Sequence, residues 1–169
     1  MKSVAAFVQN GTTKNESPRS PIFTNNIFDI KRLRSLVDIV GKEKIVLDLS
    51  CRKKGNDEYF ALINKWQVFT DLAVNVETLE MLSKYCDEFL IHSVDVEGKR
   101  QGVDEELLKI LGGCNELSIT YAGGIRNLED IKLIEKLEKG KINFTIGSAL
   151  DIFGGDLSYR EVVNYVNKK

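Results

Sequence analysis

Histidine and tryptophan each occur once in this 169-residue chain, at His92 and Trp66. One histidine leaves no His-rich ligand set, and Cys51, Cys86 and Cys114 are too widely spaced to form a CxxC pair. No metal is therefore expected, and the cysteines read as free thiols of a reducing compartment. Pro18 and Pro21 are the only prolines, so the rest of the chain is free of that helix and strand breaker. No apolar run approaches the ~18 residues of a membrane span, so no membrane is expected as a partner. Neither sign of charge dominates: 24 basic and 25 acidic side chains leave a net charge of -1. Nothing in that balance suggests a nucleic-acid-binding surface, and no nucleic acid is expected as a partner. The balance does not exclude a small anion, which backbone amides can hold without a basic patch. No P-loop and no GxGxxG is present, so no nucleotide cofactor is expected.

What the chain does have is one event, repeated. An apolar run ends in an acidic, His or Gly residue, and a polar loop and an amphipathic helix follow. Lys44 to Ser50 is the first clear copy, then Phe89 to Val94, Leu117 to Tyr121 and Ile142 to Gly147. Helices are predicted over Asp29–Val40, Val76–Tyr85, Glu105–Leu111, Leu128–Leu137 and Tyr159–Val166, from apolar positions at helical spacing. Asp29, Asn75, Asp104, Asn127 and Ser158 stand where caps belong. Strand–helix alternation of this kind predicts an α/β protein with its site at the carboxyl ends of the strands. Four parallel strands do not close a barrel, which needs eight units and roughly 250 residues. The alternatives are a small open sheet and half of a barrel.

Residues 1–23 differ in composition. Gly11 to Pro21 is turn or linker sequence. Val4 to Val8 has the makings of a short strand, but linker sequence follows it too soon for a helical crossover. An irregular leader is expected there, ahead of one domain over 24–169; a targeting peptide is the alternative reading. Residues 51–75 form an excursion above the first strand end. Lys53 to Asp57 reads as a turn, and Tyr59 to Trp66 as a hairpin that either covers a site or packs as a structural flap.

Asp48 lies inside a Val/Leu/Ile run, where a charge is costly unless it is satisfied or at work. It is the strongest acid/base candidate; otherwise it is satisfied by Arg52 or by backbone amides. His92 ends its strand on the same side, as a polar contact or a rim residue. Asp95 and Glu97 either fix the Gly98 loop or touch substrate. Asp151 is expected to cap, or to brace Arg52 or Arg126. Gly123-Gly124 and Gly147-Ser148 end consecutive strands ahead of helices, the usual placement of a phosphate site.

Val46 to Arg52, Asn64-Lys65-Trp66, Phe89 to His92, Asp95 to Gly98, Tyr121 to Gly124 and Gly147 to Gly155 together resemble one family. It is the eukaryotic form of the histidine-biosynthesis isomerase, phosphoribosylformimino-5-aminoimidazole carboxamide ribotide isomerase, and the match runs from about Ser20 to the C-terminus. The resemblance implies a TIM (βα)8 barrel built from two half-barrels, with this chain as strands five to eight and a preceding helix. It implies an Amadori rearrangement of a bis-phosphorylated ribotide, without cofactor or metal, in the cytoplasm or, in a plant, the plastid. By that resemblance Asp48 is the strand-five catalytic carboxylate. His92, Arg52, Trp66 and Gly98 contact substrate, Trp66 by stacking over the aminoimidazole. Gly123, Gly124, Gly147 and Ser148 hold a phosphate. The family's other carboxylate, on strand one, has no match in Met1 to Phe7. A lone half-barrel is expected to pair with itself or to be weakly active. The alternative is a non-catalytic half-barrel that binds ribotide phosphate or a complementary half.

Overall fold

The computed structural model describes residues 4–6, 22–55, 58–99, 101–114, 116–138 and 141–168. Strand β1 (Val4–Ala6) is followed by a small hairpin, β2 (Phe23–Thr24) and β3 (Ile27–Phe28), then by helix α1 (Ile30–Val40) and the long strand β4 (Ile45–Lys54). Strands β5 (Glu58–Ile63) and β6 (Val68–Ala73) fold back along it. Helix α2 (Val76–Leu82), β7 (Glu88–Ser93), α3 (Glu105–Gly112), β8 (Ile119–Ala122), α4 (Leu128–Glu138), β9 (Asn143–Thr145) and α5 (Tyr159–Asn167) complete the order.

The main sheet runs β6-β5-β4-β7-β8-β9, with β1 as an added neighbour of β4. Strands β4, β7, β8 and β9 are parallel to one another, as the repeated strand–helix pattern predicts. The edge of β4 away from β7 is shared. Its start pairs in parallel with β1, Val4 opposite Ile45, and its end pairs antiparallel with β5, Lys53 opposite Tyr59. This corrects the expectation that residues 4–8 lie outside any helical crossover. A parallel neighbour needs a crossover connection, and α1 lies in the segment between β1 and β4. The rest of the predicted leader, residues 1–3 and 7–21, lies outside the described residues. The β2–β3 hairpin straddles the predicted leader boundary. Asn25 and Asn26 make its turn at φ 51° and 66°, which asparagine tolerates better than most residues. It docks on β6, whose Asp71 carboxylate accepts from the Phe28 amide at 2.7 Å.

The predicted caps are in place. Asp29 accepts from the Lys31 and Arg32 amides at 3.1 and 3.3 Å, Asn75 from Thr78 at 2.9 Å and Asn127 from Asp130 at 3.0 Å. Each is worth about 1 kcal/mol. Helix α2 ends at Leu82, short of the predicted Tyr85, where Ser83 bonds back to the Glu80 carbonyl at 2.7 Å.

Period-two alternation separates the two faces of the sheet. Ile45, Leu47, Leu49 and Cys51 are fully buried on the helix side. There they belong to one core with Leu33, Leu79, Leu82, Leu108, Ile131 and Ile134. Burying each such side chain stabilises by roughly 1.5–3 kcal/mol. The three cysteines are free and buried, and burial pushes the Cys86 and Cys114 thiols up to about 12 and 11. The intervening residues, Asp48 and Ser50 on β4, lie on the other face, and the register carries that face across the sheet.

Candidate active site

Strand register arranges this inner face in rows. Asp48, Leu90, Thr120 and Asn143 form one row, and Ser50, His92, Ala122 and Thr145 the next toward the carboxyl ends. The face is polar where the helix face is apolar, which explains how a charge came to sit inside the Val46–Leu49 run.

Asp48 is 6% exposed, and its Oδ1 is buried without a hydrogen-bond partner among the described residues. Arg52 does not satisfy it; that guanidinium donates to Asp95 at 2.8 Å instead. Burial raises the Asp48 carboxyl above its usual range, and the charge of His92 opposes that shift in part. The His92 Nε2 stands 3.0 Å from a Glu97 carboxylate oxygen, close enough for an ion pair but not aligned for a hydrogen bond.

The excursion after β4 reaches back to this row. Trp66 donates from Nε1 to Ser50 Oγ at 3.0 Å, and its ring meets His92 edge-on, 5.4 Å between centroids. Asn64, Lys65 and Trp66 hold φ of 53°, 54° and 66°, three consecutive left-handed residues without a glycine. Each such residue costs of order 1 kcal/mol. The strain turns the indole onto the polar face.

Beyond the second row the strand ends enclose a cavity of about 180 Å³, lined by His92, Glu97 and Gly98 and by segments 122–125 and 145–149. Sites for whole drug-sized ligands run about 300–1,000 Å³, so this cavity fits one end of a ligand. Gly123 and Gly124 hold φ of 127° and 74°, and a Cβ on Gly124 would lie 2.1 Å from the Gly102 carbonyl oxygen. The loop is therefore pressed backbone against backbone, where no side chain fits. Gly147, in the opposite wall, has nothing within 4 Å of a Cβ position.

Of the sequence candidates, His92, Gly98, Gly123, Gly124, Gly147 and Ser148 converge on this cavity. Trp66 touches His92, and Asp48 lies one row below. Arg52 is not among the lining residues. Asp151 braces neither arginine: it accepts from the Ile152 and Tyr159 amides at 2.8 and 3.0 Å, while Arg126 pairs with Asp130. Ser50 and Thr145 went unnoticed in the sequence, although each stands two residues from a candidate and so shares its face.

The family model described as histidine biosynthesis protein matches residues 13–157. The chain belongs to this family. It is 46% identical over 150 residues to a chloroplastic 1-(5-phosphoribosyl)-5-((5-phosphoribosylamino)methylideneamino)imidazole-4-carboxamide isomerase of Medicago truncatula, covering 89% of this chain and 48% of the relative. The proteins of that name in Yarrowia lipolytica and Saccharomyces cerevisiae are 50% and 47% identical, over 80% and 77% of this chain and 54% and 51% of theirs. The chain thus spans about half the length of these curated relatives. For a histidine biosynthesis family member, the geometry offers two separate capacities. A buried carboxyl with a raised proton affinity can exchange protons, and a rigid glycine-lined cup can hold an anion.

Proposed function

We propose that this chain carries one end of the active site of the isomerase its relatives are named for. On this reading β4, β7, β8 and β9 are strands five to eight of a (βα)8 barrel, and β1 stands where the preceding strand belongs. Residues 24–169 form the half-barrel domain. The substrate is a ribotide with a phosphate at each end, as the two phosphoribosyl groups in the relatives' name suggest. One phosphate sits in the cup formed by Gly123, Gly124, Gly147 and Ser148, against backbone amides. Asp48 acts as general acid or base in ring opening and proton transfer, with a second carboxylate in the other role. Protonation of the sugar ring oxygen opens the aminoaldose to an iminium, and loss of the C2 proton then gives the enolamine, which tautomerises to the aminoketose. His92 and Gly98 contact the opened sugar, Arg52 approaches from the rim, and Trp66 stacks on the imidazole ring. The reaction as read here uses no cofactor. The reading assigns the chain to the cytoplasm, with a plastid as the alternative that the chloroplastic relative suggests.

The observation that carries this proposal is the convergence of both glycine pairs, Gly98 and His92 on one cavity, one row above a buried carboxylate whose Oδ1 has no hydrogen-bond partner among the described residues. The rearrangement calls for a second carboxylate facing Asp48. The outer edge of β9 has no partner strand among the described residues, so a second copy of the chain or a complementary half can add a strand there and bring that group. Light scattering on the purified chain, coupled to an isomerase assay on the peak, tests this. Turnover by a discrete dimer that falls about a thousandfold in Asp48→Asn is the expected result. Turnover that survives the substitution would remove Asp48 from the mechanism. The cavity's small size favours one alternative, a non-catalytic half-barrel that grips ribotide phosphate. Saturable phosphate binding with no turnover in any assembly would select it.

A further inference from the structure

The strongest polar cluster outside the site lies on the opposite, helix-side face of the sheet. Asp104 caps α3 by accepting from the Leu107 amide at 3.1 Å. Its carboxylate also accepts from the Tyr59 hydroxyl at 2.6 Å and from Ser93 Oγ at 2.9 Å, and its own amide donates to the Tyr121 hydroxyl at 2.9 Å. Tyr59, Ser93 and Tyr121 are 2%, 1% and 0% exposed. Capping requires only the first of these bonds. The others reach three strands: β7 and β8 carry cavity-lining residues, and β5 leads into the turn that bears Trp66. Ser93 follows His92, Tyr121 precedes Ala122 and Gly123, and Tyr59 stands at the root of the hairpin whose turn bears Trp66. The Val74 amide donates to the Tyr59 carbonyl at 2.7 Å, so both hairpin strands are tied at that root.

We infer that Asp104 is a positioning residue for the site: one carboxylate, behind the sheet, sets the Trp66 flap, the His92 strand end and the glycine loop relative to one another. The inference rests on the reading of the cavity as the substrate site. A short O–H···O⁻ bond is roughly twice as strong as a neutral one, so the Tyr59 arm should be the stiffest of the three. The other tie on the flap, from Trp66 to Ser50, faces the site, where a ligand competes for both groups. Asp104 then determines where the flap returns.

Trp66 is the only tryptophan, so its emission reports the flap alone. The test uses the full chain as wild type, Tyr59→Phe, Asp104→Asn and the double variant, with acrylamide quenching of Trp66, urea unfolding and titration with inorganic phosphate. Asparagine caps helices as well as aspartate does, but it takes the acceptor from Ser93 and the charge from the Tyr59 bond, whereas Tyr59→Phe leaves the cap untouched. Each single variant should therefore stay folded while Trp66 quenching rises about twofold, as a locally opened flap requires. The double variant should add little to either. Quenching unchanged in Tyr59→Phe and Asp104→Asn would overturn the inference. So would a rise that only tracks a collapse of the urea midpoint, because Asp104 would then be serving the fold in general. Failure of phosphate to bind even the wild type would defeat the reading of the cavity, and the quenching result would still decide whether the clamp exists.

Discussion

The two faces of the sheet carry similar polar groups and treat them in opposite ways. On the helix side Asp104 accepts three hydrogen bonds, and nearby Asp130 accepts from the Arg126 amide and guanidinium at 2.8 to 2.9 Å. Burial alone would raise the Asp130 carboxyl, but the Arg126 contacts outweigh it and hold the group below its usual range. On the inner face Asp48 Oδ1 and His92 Nε2 are buried without a hydrogen bond among the described residues, His92 having only its ion-pair contact with Glu97, and burial raises the Asp48 carboxyl. A buried polar group left unbonded costs about 1–3 kcal/mol. On the helix side Glu138 Oε1 is likewise buried without a hydrogen bond among the described residues, although its Oε2 accepts from the Ile142 amide at 2.6 Å. Asp104 and Asp130 are satisfied by the packed scaffold, whereas on the proposed reading Asp48 and His92 face a ligand.

The largest effect should come from forcing the packed glycine loop. Gly124→Ala combines a positive φ with a Cβ that meets the Gly102 carbonyl, and we expect a loss of at least about 3 kcal/mol together with phosphate binding. A urea midpoint within error of wild type would mean that this loop is not held as described. Asp104→Ala should follow closely. It strips the cap from α3 and leaves the Tyr59 and Ser93 hydroxyls without their acceptor, for about 3 kcal/mol in the same measurement. A loss near 1 kcal/mol would reduce Asp104 to a cap.

Much of the helix side was legible in the sequence. Apolar periodicity, Asp29, Asn75, Asp104 and Asn127 announced the helices, and the strand runs were continuous enough to read. Asp48 announced itself as a charge in an apolar run. Less visible was anything that depends on pairing between distant segments. The parallel partnership of β1 with β4 spans a connection of some forty residues whose first part, Gly11 to Pro21, reads as linker, so the helix predicted over Asp29–Val40 was not recognised as its crossover. That Arg52 would choose Asp95 over Asp48 depends on which face each residue takes beyond the end of the β7 pairing. Tyr59, Ser93 and Tyr121 meet only because three strands stop level with one another behind α3. The left-handed Asn64–Trp66 turn contains no glycine, so nothing local marked its backbone.

Asp48→Asn should reverse the usual sign of a core substitution. The folded carboxyl titrates above the unfolded one, near 4. Its protonated form therefore stabilises the fold below the unfolded range, and that stability is lost as pH rises through the folded value. Asparagine resembles the protonated form at every pH. The variant should gain about 1 kcal/mol at pH 7 while losing turnover, and the gain should shrink to nothing toward pH 4 and below. Unfolding curves at several pH values measure it; a variant that is less stable than wild type at pH 7 would mean that the charged carboxylate is satisfied after all.

The smallest structural effect is expected at Gly147, and it separates the two faces most cleanly. A methyl group there meets open space inside the cavity, so Gly147→Ala should leave stability within about 0.5 kcal/mol of wild type. The same methyl narrows the cup between Gly124 and Ser148, where a phosphate would sit against the backbone. Phosphate affinity should fall about tenfold, equivalent to ~1.4 kcal/mol, with no change in the urea midpoint. Gly124→Ala and Gly147→Ala then form a pair: equal additions to opposite walls of one cavity, one felt by the fold and the other only by the ligand. If phosphate binds Gly147→Ala as tightly as wild type, the anion is held elsewhere and the inner face loses its assigned role at that end. If stability falls as far as in Gly124→Ala, the cavity wall is part of the packed scaffold, and the contrast between the two faces does not extend to the strand ends.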